Sequence, residues 1–226
     1  MQLRFDFKNN KDIYNLDNFI IHDGNRDAFD FATSFSILDN NFYLLTGNKG
    51  SGKTYICKIW NHIQQAEFIN DKIFQYKELE YIHYIDTFIK NNKKYILEDL
   101  DKLNISEKYL FYLFNTIMNK SSILLITSTK YSNEFVFELQ DLQSRFNTSY
   151  NLILKDLDEE YKSQIILKLF MDKQLNIDTT TLTYISQNIS NNYEVIINFV
   201  NKLEEFLNIS NIKKLTIKII KELLDN

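Results

Sequence analysis

Gly47-Asn48-Lys49-Gly50-Ser51-Gly52-Lys53-Thr54 decides how the rest of this chain is read. The stretch fits G-x-x-x-x-G-K-[ST], a phosphate-binding loop. Glycines let successive backbone N–H groups curl around an anion, because a Cβ would block the dihedrals required. Lys53 is placed to reach the outer phosphates, Thr54 to ligate Mg²⁺, and the helix that starts there to point its positive end at the anion. Asn48, Lys49, Ser51 and Tyr55 complete the expected nucleotide contacts.

The flanks agree. Phe42-Tyr43-Leu44-Leu45-Thr46 reads as a buried strand entering the loop, and Tyr55-Ile56-Cys57-Lys58-Ile59-Trp60 as the helix leaving it. The chain has only four glycines, three of them inside this motif. A chance occurrence, at an average glycine usage of about 7%, is therefore less expected here than in an ordinary chain.

Composition bounds the remaining choices. At 226 residues, 44% hydrophobic and 15% aromatic, the chain has enough apolar material for a real core. No apolar run is long enough to span a membrane, and Cys57 is the only cysteine, so a soluble cytoplasmic protein without an internal disulfide is expected. A net charge of −4 and pI near 5.5 speak against a broad nucleic-acid surface, so no direct sequence-specific DNA binding is expected. Arginine occurs only at positions 4, 26 and 145. In a lysine-rich chain that rarity points to roles that need a planar fork of donors.

Residues 1–12 hold Gln2-Leu3-Arg4-Phe5-Asp6-Phe7 and then a polar stretch. Alternating Leu3, Phe5 and Phe7 suit either a frayed edge strand or an extended docking peptide. Ile20, Ile21 and Asn25 lie in an apolar segment and turn that would wall a base beside the loop, with a helix from Arg26. A short strand is expected at 67–70 and a helix over 75–91, in which His83 reads as packed rather than catalytic. Lys93-Lys94-Tyr95-Ile96-Leu97-Glu98-Asp99 is a short apolar strand ending in adjacent carboxylates, the Walker B form. One acid would order the Mg²⁺ water shell and the other polarise an attacking water; either could be the metal-side one, with Glu98 entered as the candidate metal ligand and both as candidate catalytic residues. Ser121–Thr129 reads as a further buried strand, of the kind that in P-loop ATPases lies between the two Walker strands. Its terminal Thr127 and Ser128 either sense a γ-phosphate or merely cap the turn. A helix over 133–145, a strand at 150–154, and helices from 158, near 178–189 and 191–207, and from Thr216 complete the pattern.

Together these segments resemble the Hda family, regulatory inactivators of DnaA, built on the AAA+ ATPase core of DnaA itself. Asp17 through Ala28 resembles the family's N-terminal nucleotide box, Glu98-Asp99-Leu100-Asp101 its Walker B, and Asp141-Leu142-Gln143-Ser144-Arg145-Phe146 the box that ends in its arginine finger. Gln2, Leu3, Phe5 and Phe7 resemble the peptide with which Hda proteins dock on the DNA polymerase sliding clamp. The resemblance implies an α/β fold: a five-stranded parallel sheet between helices over 13–155, and a small all-helical lid over 156–226. It implies ADP or ATP with Mg²⁺ as cofactor, the clamp and DnaA as partners with a homodimer as an open option, and no membrane. The family's other domains have no counterpart, so the short Hda layout is expected. Stimulation of ATP hydrolysis by DnaA through Arg145 is the implied activity. A self-sufficient DNA-associated ATPase, such as a helicase loader, is the alternative. One departure bears on turnover. The lid position that carries an arginine in the family falls on Glu194, and a carboxylate there repels a triphosphate. Weak intrinsic hydrolysis is expected.

Overall fold

The structure is a computed structural model that describes residues 19–34, 40–157, 159–210 and 215–224. The expected docking residues Gln2, Leu3, Phe5 and Phe7 lie outside these.

The sheet is built from β1 (Phe42–Gly47), β2 (Glu67–Phe68), β3 (Lys94–Leu97), β4 (Ile123–Ser128) and β5 (Tyr150–Leu154). All pairings are parallel, in the order β2-β3-β4-β1-β5. β1 is buried along its whole length, as a central strand covered on both faces must be. Register aligns Leu45 with Thr127, Thr46 with Ser128, and Leu97 with Ile126. The carboxyl ends of β1, β3 and β4 therefore open onto one edge of the sheet. β4 lies between β3 and β1, the place that the likeness to P-loop ATPases implies.

Helices cover both faces. α1 (Arg26–Ser34) and α2 (Lys53–Gln64) pack on one side, where Trp60 and Cys57 are fully buried. α3 (Glu78–Phe88), α4 (Glu107–Asn119) and α5 (Gln140–Asn147) cover the other. There the rings of Phe42, Phe114 and Phe146 form a chain, with centroids 4.2 and 6.1 Å apart. Burying side chains of this size contributes about 1.5–3 kcal/mol each. After Leu154 the described elements are α6 (Glu159–Asp172), α7 (Thr179–Asn188), α8 (Tyr193–Ser210) and α9 (Ile217–Leu224), around a cluster of their own that holds Ile166, Phe170, Ile196 and Val200. Asp178 caps α7 by accepting from the Thr181 N–H at 2.7 Å.

Three expectations need correction. Helix 133–145 does not form at that position. A 3₁₀ turn (Ser132–Glu134) leads into an irregular segment, and α5 starts only at Gln140. Phe135 and Phe137 both face Phe146 while Val136 between them is 88% exposed, a period of two that only extended backbone satisfies. That backbone finds its partners in side chains: Gln143 accepts from Phe137, and the Glu107 carboxylate accepts from Glu138 and Leu139. The strand at 67–70 shortens to two residues. His83 lies on the exposed face of α3 rather than in its packed one.

Candidate functional site

The phosphate-type loop leaves β1 at Gly47 and enters α2 at Lys53. Gly50 and Gly52 have φ of +77° and +103°, in the left-handed region that glycine alone occupies freely. A side chain at Gly47 would also strike Ser51 Oγ and the Leu154 carbonyl. Lys53 is only 7% exposed, and its ammonium donates to the carbonyls of Gly47 (2.6 Å) and Asn48 (2.9 Å). Burial pulls its pKa below the ordinary lysine value, and the nearby Asp99 charge partly opposes this. The loop is held from outside by the Asn48 amide, which donates to Asp156 at 2.6 Å.

β3 delivers the acids. Glu98 is half-buried; burial raises its pKa, and a hydrogen bond with Thr54 works against the rise. A hydroxyl and carboxylate so joined could share a divalent cation. Asp99 turns the other way. It adopts φ 53°, costly for a residue with a Cβ by about 1–3 kcal/mol. Its N–H is fixed by Thr127 Oγ1 at 2.8 Å, and its carboxylate pairs with Lys102 at 2.6 Å. Asp101 is tied to the β4 end: burial favours its neutral form, but hydrogen bonds from Thr129 and Ser128 win and hold it below the usual carboxylate range. Ser128 Oγ also caps the following turn by accepting from Lys130 at 2.8 Å. Ser128 caps, and Thr127 aims the backbone of an acid.

The helices that follow β5 close the other side. At the start of α8, Asn192 donates to the Lys49 carbonyl at 2.7 Å, and Tyr193 N–H donates to the Gly50 carbonyl at 3.2 Å. A Cβ at Gly50 would fall 2.1 Å from Asn192. Between loop and lid lies a cleft of about 360 Å³, lined by Lys53, Thr54, Tyr55, Asp99, Lys102 and Glu194 among others. Glu194 thus puts a carboxylate on the cleft wall. Asn192→Ala removes the bond to Lys49 and the α8 cap to Val195 together. It is expected to cost about 1–2 kcal/mol in urea unfolding; an unchanged midpoint would contradict the lid–loop tie.

The base-wall residues are distributed less simply. Ile20 is half-buried against the lid cluster, and Ile21 is 37% exposed. Asn25 spends its side chain on the turn, donating to the Ile20 carbonyl at 2.9 Å and accepting from His22 N–H at 2.8 Å. Phe19, which the sequence reading passed over, stacks on Phe29 and packs against Tyr55. A cavity of about 10 Å³ lies between Ile20, Asn25, Ser51 and Asn191.

Does the site fit a nucleotide and Mg²⁺? Ser51 Oγ is buried with no hydrogen-bond partner, Lys53 is anchored facing the loop, and two left-handed glycines shape a cradle. A polar atom left unsatisfied at such a place is what a polyanion would complete. Among the described residues no group of three His, Cys, Asp or Glu side chains could hold a metal. Mg²⁺ needs no such group, since phosphate oxygens and waters supply most of its shell. The residues fit both.

Arg145 lies elsewhere. It is half-buried at the end of α5, with Nη1 donating to Asn115 Oδ1 at 2.5 Å and its guanidinium 5.1 Å from the Phe111 ring centroid. The neighbouring Phe146 packs through Phe114 toward Phe42, the entry residue of β1. The loop follows the exit of β1. α5 ends at Asn147, and β5 then starts at Tyr150 opposite Tyr43; four strand steps, about 13 Å, separate Tyr43 from Gly47. Arg145 and the chain's own phosphate loop occupy opposite ends of the sheet.

No protein-family model matches the chain. Of solved structures, domain III of the Thermotoga maritima replication initiation protein DnaA superposes with a TM-score of 0.74 at 20% identity, covering 94% of this chain and 95% of that one. The fold is that of the AAA+ P-loop ATPases. AMPPCP-bound DnaA from Aquifex aeolicus gives 0.69 at 20% identity, with 96% of this chain and 71% of that one covered. The Thermotoga maritima RuvB branch migration motor gives 0.70 at 17% identity over 94% and 71%, so the superposition does not separate initiators from motors. By sequence, the chromosomal replication initiator protein DnaA of Borreliella burgdorferi is 25% identical over an alignment 232 positions long, gaps included, that covers 93% of this chain and 48% of that protein. The chain spans about half the length of the curated relatives it matches. Homology to DnaA follows at this distance; a closer assignment does not. Among the described residues no helix is long and apolar enough to cross a membrane.

Proposed function

We propose that this chain is a DnaA-related AAA+ regulator of replication initiation, of the Hda kind, which binds an adenine nucleotide with Mg²⁺ and offers Arg145 to the nucleotide site of a DnaA-type partner. The observation that carries the reading is the placement of Arg145. It stands at the far end of the sheet from its own phosphate loop, so phosphate chemistry at this guanidinium requires a neighbour's site. The relatives by sequence are replication initiators, and one structural neighbour is described with AMPPCP bound. In the chain's own cleft Glu98 and Thr54 would hold the metal, with the base between Ile20 and the lid. Glu194 lines the cleft, where a carboxylate repels a triphosphate. Slow intrinsic turnover follows. The nucleotide acts mainly as the ligand that joins the α/β part (13–155) to the lid (156–226), a division proposed on the same reading.

Gln2, Leu3, Phe5 and Phe7 are proposed to dock the chain on the sliding clamp. An immobilised clamp is expected to retain the parent chain and to release a Gln2→Ala variant. Equal retention of both would remove the docking assignment. Arg145→Ala, assayed on the partner's hydrolysis, tests the other half. A self-sufficient motor would instead show steady ATP turnover by the purified chain, quickened by single-stranded DNA.

A further inference from the structure

Lys102 belongs to no motif in the sequence, yet it borders two clefts. One is the 360 Å³ space between phosphate loop and lid. The other, about 570 Å³, opens from Glu98 and Asp99 past Asn70 and Asp71 toward the β2 edge of the sheet. Its position is a product of local backbone. The left-handed Asp99 reverses the chain, and one 3₁₀ turn (Leu100–Lys102), closed by Lys102 N–H donating to the Asp99 carbonyl at 2.8 Å, folds the side chain back. The ammonium meets the Asp99 carboxylate at 2.6 Å with 52% of the side chain still exposed. It can therefore turn into the cleft without unpacking anything.

Charge distribution gives that position a purpose. The lid contributes Tyr193, Glu194, Ile197 and Asn198 to the cleft, a carboxylate and no cation. Positive charge must come from the core side, where the cleft is lined by Lys49, Lys53 and Lys102. Lys49 lies beside the lid, where its carbonyl receives Asn192. Lys53 sits within the loop itself. Of the three, Lys102 alone also borders the neighbouring cleft that holds Glu98, on the side of the acids, where the outermost phosphate of a nucleotide on this loop would lie.

We infer that Lys102 is a phosphate-binding residue that distinguishes a nucleoside triphosphate from a diphosphate, exchanging its Asp99 partner for the terminal phosphate when that phosphate is present. The inference rests on the nucleotide reading of the cleft. With a diphosphate, Lys102 stays on Asp99 and the carboxylate remains neutralised. With a triphosphate, the ammonium crosses to an anion of higher charge, and the carboxylate is released toward the 570 Å³ cleft. No bond is made or broken in this exchange, only an ion pair. It gives the chain a way to report which nucleotide it holds, although its lid supplies no cation among the described cleft residues.

The test is titration of ADP and of a non-hydrolysable ATP analogue, each with Mg²⁺, into the parent chain, Lys102→Ala and Lys102→Arg. Loss of one charged contact to a terminal phosphate is expected to weaken the triphosphate analogue about tenfold in Lys102→Ala. ADP affinity should stay within about twofold, and Lys102→Arg should recover most of the triphosphate affinity. Equal weakening of both nucleotides, or parent-level binding of the analogue by Lys102→Ala, overturns the inference while leaving the cleft a nucleotide site. Failure of the parent chain to bind either nucleotide overturns the cleft reading and this inference with it.

Discussion

Arg145→Ala is expected to abolish stimulation of a partner's ATP hydrolysis, a loss of about 10³-fold or more, the scale of an arginine finger supplied in trans. The same variant should keep its own nucleotide affinity and its retention on the clamp. In the free chain Arg145 is not idle: it bonds Asn115 and lies over Phe111. Leaving those partners costs about 2–4 kcal/mol, from one charge-assisted hydrogen bond and one partly exposed cation–π contact. Stabilising a transferring phosphoryl by 10³–10⁵ corresponds to about 4–7 kcal/mol. The transfer between subunits therefore favours the partner's site, though by a modest margin. Asn115→Ala separates the two roles of the guanidinium. If Arg145 only braces α5 on α4, Asn115→Ala and Arg145→Ala should impair stimulation alike. If it is a finger, Asn115→Ala should leave stimulation intact or raise it, because the resting contact is weaker.

Lys53→Ala is expected to weaken adenine-nucleotide binding by about 100-fold or more, since a buried ammonium aimed into the loop is worth a charge-assisted contact or two to phosphate. Thermal unfolding gives a readout independent of turnover. At ligand concentrations about 100 times the dissociation constant, binding stabilises the parent by about 2.7 kcal/mol. In the variant the same ligand concentration should give almost none of it. A nucleotide-induced rise in melting temperature equal to that of the parent would show that nucleotide binds elsewhere. Because Lys53 donates to two carbonyls of its own loop, the ligand-free variant is expected to melt slightly lower.

How much of this was legible before the fold was seen depends on the distance over which each feature is encoded. The loop, the paired carboxylates and the buried strands are local patterns; the place of β4 between β1 and β3 came from the likeness to P-loop ATPases, not from any local pattern. Glu98 and Asp99 could not be told apart in sequence, because what separates them is the left-handed turn at Asp99 and the hydrogen bond between Thr54 and Glu98. The segment 135–139 was misread because apolar residues near a helix resemble one until their period is checked. Phe135 and Phe137 follow a period of two. Asn192 was missed as a site residue, since its partner Lys49 lies 143 positions away. The only local sign was its place at the start of a helical run. Lys102 had no sign at all: a lysine three residues after an acid is ordinary in any polar turn.

The central claim, that this chain lends a guanidinium to another nucleotide site, is tested most directly by single-turnover hydrolysis of labelled ATP preloaded on a DnaA-type initiator. The parent chain is added together with clamp loaded on DNA. Acceleration of about 10³-fold over the initiator alone is the predicted result. An initiator that hydrolyses its ATP at the same rate with and without the chain would contradict it.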